Sequence, residues 1–243
     1  MRQVQSNGDE APGRYALPMA HAELLPAVEL EPRGPARFAV IWLHGLGADG
    51  NDFPPVVAEL GLDPALAVRW IFPHAPAIPV TINGGMVMPA WYDIRGLDFH
   101  QRHDETGIRR SAESVVRLMQ REVERGVPQD RILLAGFSQG GAVALHVALR
   151  HPEPLAGLIG LSTYLVLGDE LERERSEANR SIPIFQAHGT LDPMVTYERG
   201  RSSRDRLRAL GYAVEWHEYP MEHQVCLEEI QDLGRWLARR FEG

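Results

Sequence analysis

A serine flanked by glycines separates two segments of different pattern, in Gly136-Phe137-Ser138-Gln139-Gly140. Residues 131–135 before it form a short apolar run, as a strand buried on both faces requires. Residues 141–150 after it have a helical pattern that stops before Pro152. Strand, sharp turn and helix are the setting of a nucleophile elbow, whereas the alternative is an ordinary glycine-rich loop. A side chain at either glycine would crowd the turn, so we predict that Ser138 is a nucleophile.

Composition limits the class of protein. With 243 residues, of which 44% are hydrophobic, the chain suits one substantial core. We expect a flexible N-terminal extension over residues 1–20 and a single α/β domain over residues 21–243. The net charge of −8 argues against broad nucleic-acid binding. The sequence has neither a signal-peptide pattern nor a long apolar run, which predicts a cytoplasmic protein without stable membrane insertion.

The absence of lysine and the presence of a single cysteine exclude several kinds of catalytic and metal site. All 25 basic residues are arginine, which rules out a P-loop lysine, a Schiff-base lysine and a Ser-x-x-Lys nucleophile. Cys226 is the only cysteine, so neither an intrachain disulfide nor a cysteine-based zinc site is possible, and we expect it to be a small buried residue on a helix. A polar group at His100, His103, Asp104 and Glu105 lacks periodic surroundings and predicts a solvated loop rather than a metal site. We expect no metal and no cofactor.

Apolar periodicity predicts strands that alternate with helices. Strands are expected at residues 25–31, 38–43, 68–72, 131–135, 155–161, 182–188 and 212–219. Helices are expected from near Asp52 and near residues 108–123, 141–150, 195–210 and 225–241. Such alternation is typical of a mostly parallel sheet that is covered by helices on both faces. Only a short connection fits between the strands that end at residue 161 and begin at residue 182, so no large cap domain is expected.

A serine nucleophile needs a base, and the base needs an orienting carboxylate. Asp192 follows the predicted strand 182–188, and His223 follows the strand that ends near Tyr219. Ser138, Asp192 and His223 therefore occur in the order that the α/β-hydrolase fold uses. The alternative for Asp192 is a turn or helix cap before Pro193, and the competitor for His223 is His217, which lies within a predicted strand.

The oxyanion of the reaction needs hydrogen-bond donors. We predict the backbone N–H groups of Gln139 and of Leu46, the latter in the loop His44-Gly45-Leu46-Gly47. Residues 45–50 of this loop also match the dinucleotide fingerprint G-x-G-x-x-G. The next helix is expected to begin only near Asp52, and no acidic residue ends the following strand, which argues against a nucleotide.

Several further motifs occur in a fixed order and resemble the carboxylesterase/phospholipase family that includes the acyl-protein thioesterases. The resemblance covers residues 39–237. It is carried by residues 44–50, by residues 136–141 and by five further motifs: Phe72-Pro73-His74-Ala75-Pro76, Asn83-Gly84-Gly85-Met86, Ala90-Trp91-Tyr92-Asp93-Ile94, His188-Gly189-Thr190-Leu191-Asp192-Pro193 and Met221-Glu222-His223. It implies a compact α/β hydrolase that acts without a cofactor on carboxylic esters, and in some members on thioesters or lysophospholipids. It also implies a possible homodimer. Glu222 departs from the pattern, since a small residue is common there.

Apolar residues in segments that look irregular suggest an acyl groove. We expect Val80, Met86, Met88 and Leu165 to contact substrate, although contact with the core explains them equally well. Trp91 is assigned to the same substrate-binding region, as structural support near the groove. The leading hypothesis is a serine carboxylesterase that hydrolyses short-to-medium acyl esters through an acyl-enzyme. The alternatives are an acyl-protein thioesterase or lysophospholipase and, from another class, a catalytically silent binding protein with a hydrolase fold.

Overall fold

Strands and helices alternate in the computed structural model, which describes residues 23–96 and 103–242. The strands are β1 (Ala27–Leu30), β2 (Phe38–Leu43), β3 (Val68–Pro73), β4 (Ala77–Val80), β5 (Met86–Pro89), β6 (Ile132–Phe137), β7 (Gly157–Leu161), β8 (Ile184–Gly189) and β9 (Val214–Tyr219). The helices are α1 (Val56–Glu59), α2 (Glu105–Glu124), α3 (Gln139–Ala148), α4 (Gly168–Glu174), α5 (Tyr197–Ala209) and α6 (Leu227–Phe241). The predicted extension over residues 1–20 and His100 lie outside the described residues.

The main sheet has seven strands in the order β1-β3-β2-β6-β7-β8-β9. β1 pairs antiparallel with β3 at the edge, and the remaining neighbours are parallel. The predicted mostly parallel sheet is therefore confirmed. Because parallel strands present their carboxyl ends at one edge, the loops after β2, β6, β8 and β9 gather there.

Helices cover both faces of the sheet, as predicted. The odd-numbered residues of β2 belong to the core cluster that contains Leu118 of α2 and Val143 of α3. Its even-numbered residues belong to a second cluster with Leu237 of α6. Successive side chains of a strand point to opposite faces, so one buried strand contributes to both cores.

Two predictions about local structure are wrong. Residues 77–89, expected to be irregular, contain the antiparallel pair β4 and β5, closed by a turn in which Gly84 and Gly85 adopt φ of +67° and +79°. Glycine adopts such angles without a Cβ clash, which makes the tight turn possible. The helix expected near Asp52 is only the single turn α1, because the two prolines before it lie in a turn instead of a helix.

The connection between β7 and β8 contains only the short helix α4. All residues of this connection are described, and they include no cap domain. The carboxyl edge of the sheet is therefore not covered from this side.

Candidate active site

Ser138 stands in a strained turn between β6 and α3, with φ of +52° and ψ of −120°. A Cβ atom at Gly136 would lie 2.4 Å from the carbonyl carbon of Gly140. One at Gly140 would lie 2.4 Å from the carbonyl oxygens of Leu43 and His44. Such distances exclude any side chain at either position, which gives the elbow its requirement for glycine. The backbone energy stored at Ser138 is typical of functional sites.

Ser138, His223 and Asp192 form one chain of hydrogen bonds. The Ser138 Oγ lies 2.9 Å from His223 Nε2, and His223 Nδ1 lies 2.7 Å from Asp192 Oδ2. An ionised carboxylate only accepts, so Nδ1 carries the proton and the unprotonated Nε2 accepts from the Ser138 hydroxyl. The imidazole also packs against the Phe137 ring, with centroids 4.8 Å apart. This tautomer leaves the histidine able to take a proton from the serine.

Asp192 uses its two oxygens differently. Oδ1 accepts from the backbone N–H groups of Met194 at 2.8 Å and Val195 at 2.9 Å, while Oδ2 accepts from His223. Burial by itself would raise the pKa of Asp192, but the hydrogen bonds from His223 and the two amides outweigh it and lower the pKa. The carboxylate therefore stays ionised beside the imidazole.

A second histidine near Asp192 escaped the sequence reasoning. His188, at the end of β8, is buried. Its Nε2 lies 3.5 Å from Asp192 Oδ2 and donates a hydrogen bond to the Val195 carbonyl at 2.7 Å. Burial lowers the pKa of His188, so it stays neutral. The only available signal was its position just before the Gly189 loop.

His217, the competing base, packs elsewhere. Its ring stacks on Phe185 at 4.8 Å, and its Nε2 lies 3.2 Å from a Glu215 carboxylate oxygen. His223, not His217, reaches Ser138 because it lies in the loop beyond β9 instead of within the strand.

The loop after β2 is fixed by His44. This buried imidazole donates from Nδ1 to the Gly45 carbonyl at 2.7 Å and accepts at Nε2 from the Ala75 N–H at 3.1 Å. Burial lowers its pKa, which favours the neutral form that this pairing needs. Among the described residues no backbone acceptor pairs with the Leu46 N–H. Gln139 is the first residue of α3, where an N–H lacks an intrahelical partner.

The predicted groove residues divide into two groups. Val80 and Trp91 have no exposed surface, which contradicts their assignment as substrate-binding residues. Val80 is the last residue of β4, and Trp91 belongs to the core cluster that also contains Leu118 of α2. Met88 and Leu165 are half-buried, and Met86 is 63% exposed, so substrate contact by these three stays a prediction. Met88 lies beside the loop after β2, with its sulfur 3.9 Å from where a Cβ of Gly47 would be.

Asp104 and Cys226, predicted to lie in a loop and on a helix, are both N-cap residues of helices. Asp104 caps α2, accepting from the Gly107 N–H at 3.2 Å, and His103 lies 6.4 Å from the Tyr164 ring. Cys226 is only partly buried and is the N-cap of α6, which corrects its placement within the helix. Within residues 23–96 and 103–242, no helix is both long enough and apolar enough to cross a bilayer.

Comparisons with known proteins show which proteins this chain is similar to. The family described as Phospholipase/Carboxylesterase matches residues 26–240. Acyl-protein thioesterase 1 of Cryptococcus neoformans var. neoformans is 40% identical over 227 residues, which cover 86% of this chain and 95% of that protein. Acyl-protein thioesterase 1 of Neurospora crassa is 42% identical over 210 residues, covering 83% of this chain and 86% of that protein.

The similar solved structures also include an acyl-protein thioesterase. The crystal structure of Zea mays acyl-protein thioesterase 2 is similar with a TM-score of 0.79 and 30% identity, covering 89% of this chain and 99% of that one. Arabidopsis thaliana SOBER1 gives a TM-score of 0.80 at 30% identity and covers 84% of this chain and 99% of that one. The chain belongs to the phospholipase/carboxylesterase family of α/β hydrolases.

Proposed function

We propose that this protein is a serine acyl hydrolase in which Ser138 attacks the carbonyl carbon of an ester or thioester. The observation that carries the proposal is the unbroken chain of hydrogen bonds from Asp192 through His223 to the Ser138 hydroxyl, with distances of 2.7 Å and 2.9 Å. A serine hydroxyl becomes nucleophilic when a base is positioned to take its proton.

In the acylation step each group of the site has a defined role. As the Ser138 oxygen bonds to the carbonyl carbon, its proton passes to His223 Nε2, and Asp192 stabilises the resulting imidazolium. The negative charge that develops on the carbonyl oxygen is stabilised by the backbone N–H groups of Leu46 and Gln139. The tetrahedral intermediate then collapses, the bond to the leaving group breaks, and His223 returns its proton to the departing alcohol or thiol. Water repeats the sequence on the acyl-enzyme and releases the carboxylic acid.

Acyl-protein thioesterase activity is the second candidate, and the identity to the two fungal thioesterases favours it. The exposure of the site supports it as well. The His223 side chain keeps 18% of its surface exposed, and α4 is the only helix between β7 and β8. A site at an uncovered sheet edge can accept an acyl chain that is still attached to a protein, whereas an enclosed cavity cannot.

Labelling and a matched substrate panel test both candidates. A fluorophosphonate probe should label the wild type and not Ser138→Ala, and an unlabelled wild type would mean a catalytically silent protein. The panel compares kcat/KM for p-nitrophenyl octanoate, an S-octanoyl peptide and lysophosphatidylcholine. A preference for the S-acyl peptide identifies a thioesterase, a preference for the nitrophenyl ester identifies a carboxylesterase, and turnover of the lysolipid alone rejects both in favour of a lysophospholipase.

A further inference from the structure

Residues 89–92, here termed the bridging segment, contact the oxyanion loop through two hydrogen bonds. The carbonyl of Pro89 accepts from the Gly47 N–H at 2.9 Å. The indole Nε1–H of Trp91 donates to the His44 carbonyl, also at 2.9 Å. These two partners lie on either side of Leu46, the predicted donor, so the bridging segment holds the loop both before and after it.

The same segment contacts the nucleophile elbow through two more hydrogen bonds. The backbone N–H of Trp91 donates to Gln139 Oε1 at 2.9 Å, and Gln139 Nε2 donates to the Tyr92 carbonyl at 2.7 Å. The Gln139 side chain is only 1% exposed, so both bonds are shielded from water. Gln139 thus offers its backbone N–H to the oxyanion while its side chain is fixed to the bridging segment.

Trp91 is itself held firmly within the core. It has no exposed surface, its carbonyl accepts from the Ser111 hydroxyl of α2, and its ring lies 5.3 Å from the His44 imidazole. A side chain without exposed surface does not touch substrate. Any effect of Trp91 on the reaction must therefore pass through the groups to which it is bonded.

We propose that Trp91 is a positioning residue, which sets the separation of the Leu46 and Gln139 N–H groups through its indole and backbone N–H. This inference rests on the proposed function. Donors stabilise a developing oxyanion only when their orientation is fixed before the reaction. Leu46 lies between two glycines in a turn that one long hydrogen bond closes, from the Ala48 N–H to the Gly45 carbonyl at 3.3 Å, so its orientation depends on external restraints as well. Removing one restraint weakens binding of the transition state while binding of the substrate is kept.

Trp91→Phe removes the indole N–H and keeps an aromatic ring. We expect kcat on p-nitrophenyl acetate to fall about tenfold to a hundredfold, which is less than the loss of a whole oxyanion donor, with KM unchanged. A trifluoromethyl ketone, which forms a tetrahedral adduct with Ser138, should bind more weakly by the same factor. The matched control is Trp42→Phe in β2, since Trp42 is 1% exposed and its Nε1–H has no partner among the described residues. It should leave kcat and inhibitor affinity unchanged.

Gln139→Met is the second variant, because it keeps the backbone donor and removes both side-chain bonds. Thermal unfolding checks that each variant is folded, and if Trp91→Phe does not fold, Gln139→Met decides the question. Wild-type kcat in a folded variant overturns the inference, and so does a rise in KM with kcat unchanged, which would indicate direct substrate contact. Full activity of Ser138→Ala is a separate result, since it rejects the proposed function itself.

Discussion

Replacing Glu229 with glutamine should stabilise the protein at alkaline pH and have little effect at acid pH. Glu229 lies in the first turn of α6 and is fully buried. Burial raises the pKa of this carboxyl from its ordinary value of 4.5 to about 8, against the opposing effect of the Cys226 backbone. Between pH 4.5 and about pH 8, the Glu229 carboxyl is therefore protonated in the folded protein and ionised in the unfolded chain.

The sign and size of the effect follow from proton linkage. Below pH 4.5 both states are protonated and the site imposes no penalty, whereas above pH 8 the folded state must hold a buried charge. Between these limits the free energy of unfolding falls by about 1.4 kcal/mol per pH unit. The whole window corresponds to a loss of about 5 kcal/mol, a large share of the stability of an ordinary domain. Glutamine stays neutral at all these pH values, so the unfolding free energy of Glu229→Gln does not fall with pH because of this site.

Urea unfolding at pH 5, 7 and 9 measures the difference directly. The gap in unfolding free energy between Glu229→Gln and wild type should open with rising pH. Glu228→Gln is the control, because Glu228 is exposed in the same helical turn and its substitution should give a small, constant difference. A gap for Glu229→Gln that does not change between pH 5 and pH 9 would refute the reasoning, since it would mean that this carboxyl titrates alike in both states.

Three further results are expected at the site. His223→Ala should lower kcat by about 10⁴-fold while His217→Ala keeps most activity, and the reverse in steady-state assays would reassign the base. Asp192→Asn should keep the fold, because Asn still accepts at Oδ1, yet lower kcat strongly; near-normal turnover with an unchanged melting temperature would point to another carboxylate. In a p-nitrophenyl ester series, each methylene should raise kcat/KM about fourfold up to a short-to-medium plateau. Met88→Ser should flatten that rise and spare the acetate ester, with exposed Val87→Ser as control; a wild-type series that is flat from acetate upward would exclude the groove.

The positions of Ser138, Asp192 and His223 could be predicted because each depends on a local pattern. Ser138, Asp192 and His223 all follow predicted strands that end in turns, and parallel strands bring those turns to one edge. The elbow glycines were predictable for the same reason, since the requirement for a tight turn is visible in the sequence. Such inferences need only the order of strands and helices along the chain.

The bridging segment could not be predicted, because its hydrogen bonds join residues distant in sequence and mostly end on backbone carbonyls. The sequence predicts Trp91 as structural support near a groove, but nothing in it indicates that the N–H groups of Trp91 are bonded to His44 and Gln139. β4 and β5 are too short for clear alternation. Glutamate is ordinarily a charged residue, which favours the surface, yet Glu229 shares a helix face with Ile230 and Leu233 and is buried with them.

Asp192 explains how a turn residue can also orient a base. An aspartate in a turn before a following helix needs only one oxygen to accept backbone N–H groups, and here Oδ1 accepts two of them. These two bonds fix the carboxylate plane and so point Oδ2 toward the loop after β9, where His223 lies. The amides also oppose the effect of burial on the pKa, which keeps the negative charge that stabilises an imidazolium. The turn and the orientation of the base are therefore one arrangement, and the Asp192-Pro193 sequence that favours the turn also prepares the carboxylate for His223.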